Sequence, residues 1–219
     1  MLDLSIEPDD HAILGELSAR VSPGDRICLL GPSGIGKTTL LNAIAGLDPG
    51  VAGGVRSGDS APRIGYLFQE HRLLPWRTLQ QNLRLVGVPG GEAEELLMAV
   101  GLAGKADYFP DQLSLGMARR AALARCLAIR PQLLLMDEPF ASLDPDTAGT
   151  LKSLIRGILD AHPGMAMICV THDAGDAETL ANRLWYLDGK PAQLQWDAPV
   201  ETAGAVRHCL DGLRLGARA

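Results

Sequence analysis

The residues best suited to chemistry stand together early in the chain. Gly31, Pro32, Ser33, Gly34, Ile35, Gly36, Lys37, Thr38 and Thr39 follow directly on the apolar run RICLL. Gly31, Gly36, Lys37 and Thr38 match the spacing G-x-x-x-x-G-K-[ST]. Each residue type has a physical reason to be there. Glycines let the backbone curl so that successive N–H groups point inward at anionic oxygens. A helix opening at the end of the loop adds donors and a partial positive charge. The Lys37 ammonium can then reach terminal phosphates as a point charge, and the Thr38 hydroxyl can ligate Mg2+.

A second group stands further on. The apolar run LLLM leads into Asp137 and Glu138. An acid at the end of a buried strand can hold Mg2+ through water. The next carboxylate is then placed to accept a proton from an attacking water. Gln69 and His172 also follow strand-like runs, in YLFQ and VTHD. Taken singly, a strand-end glutamine reads as a solvated cap and an isolated histidine as a structural one. His11, His71, His162 and His208 have only that reading.

The elements that must hold these residues can be traced from the apolar pattern. RICLL, RIGYLFQ, QLLLMDE and MAMICV are short apolar runs bounded by turn residues and predict buried strands. TTLLNAIAGL predicts a helix that stops near Asp48, Pro49 and Gly50. LGMARRAALARCLAI predicts a helix closed by Pro131, with its arginines on a wet face. PDTAGTLKSLIRGIL predicts a helix with Pro145 in its first turn. Between 73 and 106 the pattern is helical, and no strand is evident from about 71 to 128. Strands flanked by helices predict an α/β fold with a mostly parallel sheet and a helical subdomain, about 71–128, inserted within one domain spanning 1–219. The Gly-rich stretch 51–62 reads as a turn region. The tail after Asp188 is weakly patterned, with helical character near 200–213.

Composition bounds the function classes. The chain has 219 residues, 47% of them apolar, enough for one large domain with a sizeable core. Its formal net charge is −6, without a basic block, which argues against nucleic acid as a partner. No apolar run approaches the ~20 residues of a membrane span. MLDLSIEPDD lacks the features of a signal peptide, so a cytoplasmic location is expected. Cys28, Cys126, Cys169 and Cys209 form no close pair and read as buried, reduced thiols.

Six motifs in order give the chain a specific resemblance. They are GPSGIGKTT, YLFQEHRLLPW, LSLGMARRAALARCLA from Leu113, LLLMDEP, SLD ending at Asp144, and VTHD. Together they resemble the nucleotide-binding subunits of ATP-binding cassette transporters, with FQEHRLLPW similar to the nitrate, sulfonate and taurine importer branch. The resemblance spans nearly the whole chain and implies a P-loop NTPase sheet core. It implies ATP and Mg2+, with Thr38, Gln69 and Asp137 at the metal, Glu138 as general base and His172 on the γ-phosphate. It implies a homodimer in which Ser114 and the Gly116 amide reach ATP held by the second subunit, with Asp144 in a dimer-contacting loop. It further implies membrane permease subunits contacted between Glu70 and Thr78, an extracytoplasmic substrate-binding protein, and a peripheral position on the inner face of the cell membrane. An exporter or lipid-handling ATPase, a soluble repair or translation cassette, and a non-hydrolysing regulatory subunit are the competing readings.

Two departures from the family pattern stand out. Leu-Ser-Gly-Gly-Gln becomes Leu113-Ser114-Leu115-Gly116-Met117, and Met117 cannot donate the amide hydrogen bonds of Gln. The aromatic that stacks on adenine is missing; its place falls near Glu7 or Pro8. Losing such stacking removes ~1–3 kcal/mol and predicts a less base-selective site. In HRLLPWRT, one reading buries Leu73, Leu74 and Trp76 together, and the other sets them in a groove for a partner helix.

Overall fold

In the computed structural model the described residues are 1–7, 13–49, 51–58 and 60–200. They form two compact units, one from residues 1–61 with 166 onward, the other from Pro62–Met165. Among the described residues no helix is long and apolar enough to cross a membrane.

The first unit holds an antiparallel sheet that the apolar runs do not announce. In β1 (Leu2–Glu7), Leu2, Leu4 and Ile6 are buried while Asp3, Ser5 and Glu7 are exposed. That is the period of two of a half-covered strand. β1 pairs with β2 (Leu17–Val21) on one side and β4 (Ala52–Arg56) on the other. The stretch read as a turn region thus contains a strand. Its glycines explain the misreading: Gly53 has φ +110, and a Cβ there would overlap the Ser5 carbonyl oxygen. Glycine is what allows β4 to run this close to β1.

The same unit contains a mainly parallel set of strands. β3 (Arg26–Leu30) pairs in parallel with β7 (Ala166–Val170) and with β8 (Arg183–Asp188). Every β7 residue is buried, as expected for strands covered on both faces. β9 (Gln193–Pro199) runs antiparallel to β8 at the edge. The tail is therefore a strand here, and its weak signal follows from its edge position, where alternate residues face solvent. The helical expectation beyond Val200, together with Pro8, His11, His208 and Cys209, lies outside the described residues. Helices α1 (Lys37–Ile44) and α6 (Ala174–Leu180) complete this unit.

In the second unit β5 (Ile64–Leu67) pairs in parallel with β6 (Leu133–Asp137), which is entirely buried. Each Leu or Met buried there contributes about 1.5–3 kcal/mol of transfer free energy. The helices are α2 (Leu79–Arg84), α3 (Ala93–Ala99), α4 (Leu115–Ala128) and α5 (Pro145–Ala161). Thr78 starts α2 with a capping box: its hydroxyl accepts from Gln81 N, and Gln81 Oε1 accepts from Thr78 N. In α5, Asp144 caps, Pro145 occupies the first turn, and Ala148, Leu151, Ile155 and Leu159 form the buried stripe.

α4 buries small side chains, Ala118, Ala121, Ala122 and Ala124, and so lies close to β5. A Cβ on Gly65 would stand 2.9 Å from the Cys126 carbonyl oxygen. The arginines of α4 do not form a wet face. Arg119 is 4% exposed, and Arg120 and Arg125 are half-buried, each donating to main-chain carbonyls of another segment. Helical periodicity gives a residue's angle around the axis but not the oxygens a long side chain can reach, which is why the expectation failed.

Candidate functional site

The first unit carries the cradle and His172. β3 ends at Leu30, the chain turns through 31–36, and α1 starts at Lys37. Gly31, Gly34 and Gly36 have φ of +151, +75 and +108, values that L side chains rarely adopt. A Cβ on Gly36 would stand 2.7 Å from Ile13 Cγ2. Among the described residues no side chain caps the start of α1, and no acid lies in its first turn. The helix thus opens on its own amides with a positive dipole end, suited to an anion. Lys37 is 8% exposed, and its Nζ donates to Gly31 O at 2.9 Å and Pro32 O at 2.8 Å. The loop thereby curls around the ammonium.

β7 lies beside β3 and in parallel, so the loops leaving both strands emerge at the same edge; Thr171 N donates to Leu29 O at 3.4 Å. His172 is exposed there. The residues beside it are pinned: Thr171 Oγ1 donates to the buried Asp176 Oδ2 at 2.6 Å and accepts from Asp173 N at 3.1 Å. Nothing in the spacing of Thr171 and Asp176 betrayed this pair.

The second unit carries Gln69, Ser114, Gly116, Asp137, Glu138 and Asp144. β5 and β6 are parallel neighbours in register, Leu67 opposite Met136, so Gln69 and the Asp137–Glu138 pair leave the same edge. Asp137 is 3% exposed. Glu138 is half-buried and has φ +45, a left-handed conformation uncommon for a non-glycine residue. Tyr66 stacks on Phe68 with ring centroids 3.9 Å apart, and the Arg72 guanidinium lies 3.7 Å from the Phe68 ring centre. Burial, then the Asp137 charge, pushes the Tyr66 hydroxyl well above its ordinary pKa.

Ser114 is exposed and caps α4, accepting from Met117 N at 3.3 Å. A hydroxyl that accepts still has its hydrogen to donate. Gly116 is buried, and a Cβ there would overlap Thr147 Cγ2 in the first turn of α5. Asp144 Oδ1 accepts from Thr147 N at 3.0 Å, so the start of α4 and the Asp144 loop meet at one point. Leu115, the family's missing glycine, is 43% exposed.

The stretch 70–78 is held from behind. Arg125 donates to His71 O at 3.1 Å and Arg72 O at 2.7 Å. Asn82, 1% exposed, accepts from Leu74 N at 2.8 Å and donates to the carbonyls of Leu74, Arg77 and Thr78. Leu73 is buried, yet Trp76 is 69% exposed, so the reading that buries all three apolar residues is wrong. Arg119, Arg125 and Asn82 were missed. The available signal was that α4 has Arg119, Arg120 and Arg125 but no acid, so its guanidiniums must find partners elsewhere.

Comparison with known proteins agrees with this fold. Residues 14–141 match the family model described as ABC transporter. This chain belongs to the ABC transporter family. It is 42% identical over 215 residues to the aliphatic sulfonates import ATP-binding protein SsuB 2 of Burkholderia cenocepacia (strain HI2424), covering 93% of this chain and 79% of that one. It is 39% identical over 224 residues to SsuB 1 of Pseudomonas aeruginosa (strain UCBPP-PA14), covering 93% of this chain and 87% of the relative. Among solved structures, the ATP-binding cassette MJ0796, a dimer in a post-hydrolysis state bound to ADP and Pi, superimposes with a TM-score of 0.76 at 26% identity, over 92% of this chain and 100% of that one. The α/β fold is that of an ABC cassette.

Proposed function

We propose that this chain is the ATP-binding and ATP-hydrolysing subunit that drives transport of a small anionic solute, in the direction of import, through separate membrane permease subunits. The observation that carries the reading is the cradle: an uncapped helix start behind a loop that curls around the Lys37 ammonium. The importer names of the SsuB relatives favour import over export or lipid handling.

The roles follow from the chemistry of each group. Residues 31–39 bind the phosphates, with Lys37 neutralising the terminal charge. The Thr38 hydroxyl, the Asp137 carboxylate and the Gln69 carbonyl are hard oxygen donors of the kind Mg2+ takes beside phosphate oxygens. When bound, Mg2+ neutralises charge developing on those oxygens. Glu138 accepts the proton of the attacking water, and His172 holds the γ-phosphate. Ser114 donates its hydroxyl hydrogen, and Gly116 its amide, to ATP bound by a second copy of the chain, with Asp144 in the contact. The γ-phosphate then bridges the pair, and its loss lets the pair open, a ligand acting by differential affinity for two states. The chain acts as one cassette over 1–219 with 71–128 as its helical subdomain. The stretch 70–78, with Trp76 outward, receives the permease. A substrate-binding protein outside the membrane completes the system, and the chain sits peripherally on the inner membrane face.

Glu138→Gln is expected to keep ATP binding while hydrolysis falls ~10²–10⁴-fold. Lys37→Ala is expected to weaken nucleotide binding itself. Full turnover in Glu138→Gln would defeat the general-base assignment. A strong preference for ATP over GTP in competition binding would contradict the slack base pocket.

A further inference from the structure

The Arg119 guanidinium is buried where nothing in the proposed reaction requires a positive charge. Taking it out of water is costly unless its donors are used. Nη1 donates to Glu138 O at 3.1 Å and Pro139 O at 3.0 Å, and Nη2 donates to Ala141 O at 3.1 Å. Nε has no hydrogen-bond partner among the described residues. Three carbonyls of one short loop are thus gathered on one planar fork. Glu138 O also accepts from Ala141 N at 3.1 Å, which closes the turn from the other side.

This grip acts where the backbone needs it. A non-glycine residue in the left-handed region is strained and persists only where its surroundings over-determine it. Glu138, at φ +45, is such a residue. The bond goes to the carbonyl of Glu138, so Arg119 grips the backbone of that residue. Burial lowers the Arg119 pKa, and the Glu138 charge opposes that fall, so the two groups sense each other electrostatically. Arg119 lies on α4 one turn beyond its cap, Ser114, so the helix that presents Ser114 also sets the Glu138 loop.

We propose that Arg119 is the positioning residue of Glu138, holding the carboxylate in its working orientation through the carbonyls of Glu138, Pro139 and Ala141. The proposal rests on Glu138 being the general base. It assigns to Arg119 an effect on turnover and none on the cradle that binds ATP.

The test is steady-state ATP hydrolysis and fluorescent-nucleotide binding by the full chain carrying Arg119→Gln, Arg119→Lys, Glu138→Gln, and Glu138→Gln with Arg119→Gln. A misplacement of about 1 Å can cost ~10²-fold in rate, so Arg119→Gln is expected to lower kcat by ~10–10²-fold with KM and nucleotide affinity within about twofold. Residues that act as a unit are non-additive, so Arg119→Gln adds no further loss to the residual turnover of Glu138→Gln, followed with radiolabelled ATP. Should Arg119→Gln fail to fold, Arg119→Lys carries the test: a point-like ammonium lacks the planar fork that spreads donors over the three carbonyls, and kcat falls about tenfold. Wild-type kcat in both Arg119 variants, with Glu138→Gln inactive, overturns the proposal alone. An equal fold-loss in the Glu138→Gln background overturns it too, because Arg119 then acts elsewhere. Full turnover in Glu138→Gln instead defeats the general-base reading, and the positioning role falls with it.

Discussion

Replacing Gly31 by alanine tests whether the cradle is fixed by its own backbone. Two costs arise. At φ +151 an L residue occupies a region that only glycine uses readily, at about 1–3 kcal/mol. The new methyl group would also overlap Leu187 O, with the carbonyl carbon at 3.3 Å. That oxygen belongs to β8, which is held to β3 by a parallel ladder with Leu30 opposite Tyr186, so it cannot retreat without straining the sheet. Overpacking against such a neighbour costs about 1–3 kcal/mol. Together the two terms give ~2–6 kcal/mol, a large share of the ~5–15 kcal/mol that holds a domain folded. Gly34→Ala is the internal control. Gly34 has φ +75 and nothing within 4 Å of its built Cβ, so only the backbone term applies. Urea unfolding without nucleotide, followed by circular dichroism, should rank wild type above Gly34→Ala and Gly34→Ala above Gly31→Ala. If Gly31→Ala is as stable as Gly34→Ala, the collision with β8 is not real and the reasoning fails.

Arg183 clasps Asp197 with Nε and Nη2, both at 2.6 Å, and Asp25 with Nη1 at 2.6 Å. Arg183→Met leaves two partly buried carboxylates facing a thioether and should cost ~1–3 kcal/mol in the same urea titration; an unchanged midpoint would refute this. His71 Nδ1 accepts from Leu73 N, and burial, then the charges of Arg119 and Arg125, lower the His71 pKa below 6.5. The unfolded chain therefore binds the proton more readily. The contribution is fully present above pH 6.5 and is lost as pH falls below it. The Tm gap between wild type and His71→Asn should narrow on acidification, and a gap constant with pH would count against it. Burial pushes the Cys126 thiol up to about 12, so iodoacetamide should label it only after denaturation, as read by mass spectrometry. Labelling in the native protein would refute that burial.

What the sequence made legible had a local cause. The strands β3, β6 and β7 read correctly because each is an unbroken apolar run covered on both faces. The helix starts read correctly where Pro145 and the glycine-rich loop punctuate the chain. The cradle, the acid pair and His172 could be singled out as candidates because motif spacing is a local property. β4 was lost because Gly53 acts there through close approach to β1, which spacing cannot express. β9 was lost because an edge strand keeps only a faint alternation. Arg119, Arg125 and Asn82 were invisible for a deeper reason. Their partners are main-chain oxygens 19 or more residues away for Arg119 and more than 50 for Arg125. A backbone carbonyl leaves no mark in the amino-acid code. Asn82 reaches only 8 residues, to Leu74, yet nothing in its type separates a pinned asparagine from a solvated one.

Among the described residues the three arginines of α4 end on carbonyls and not on a carboxylate: Arg119 on Glu138, Pro139 and Ala141, Arg120 on Val100 and Gly101, Arg125 on His71 and Arg72. Every amino acid supplies the same carbonyl, so such a hook is blind to what side chain it carries. Point changes in the hooked segments can accumulate while the hooks stay fastened. A change at one arginine removes all the hooks it supplies at once. Mutational tolerance is thereby moved out of the helix and into the segments around it, which can drift toward new partners while their anchorage stays the same.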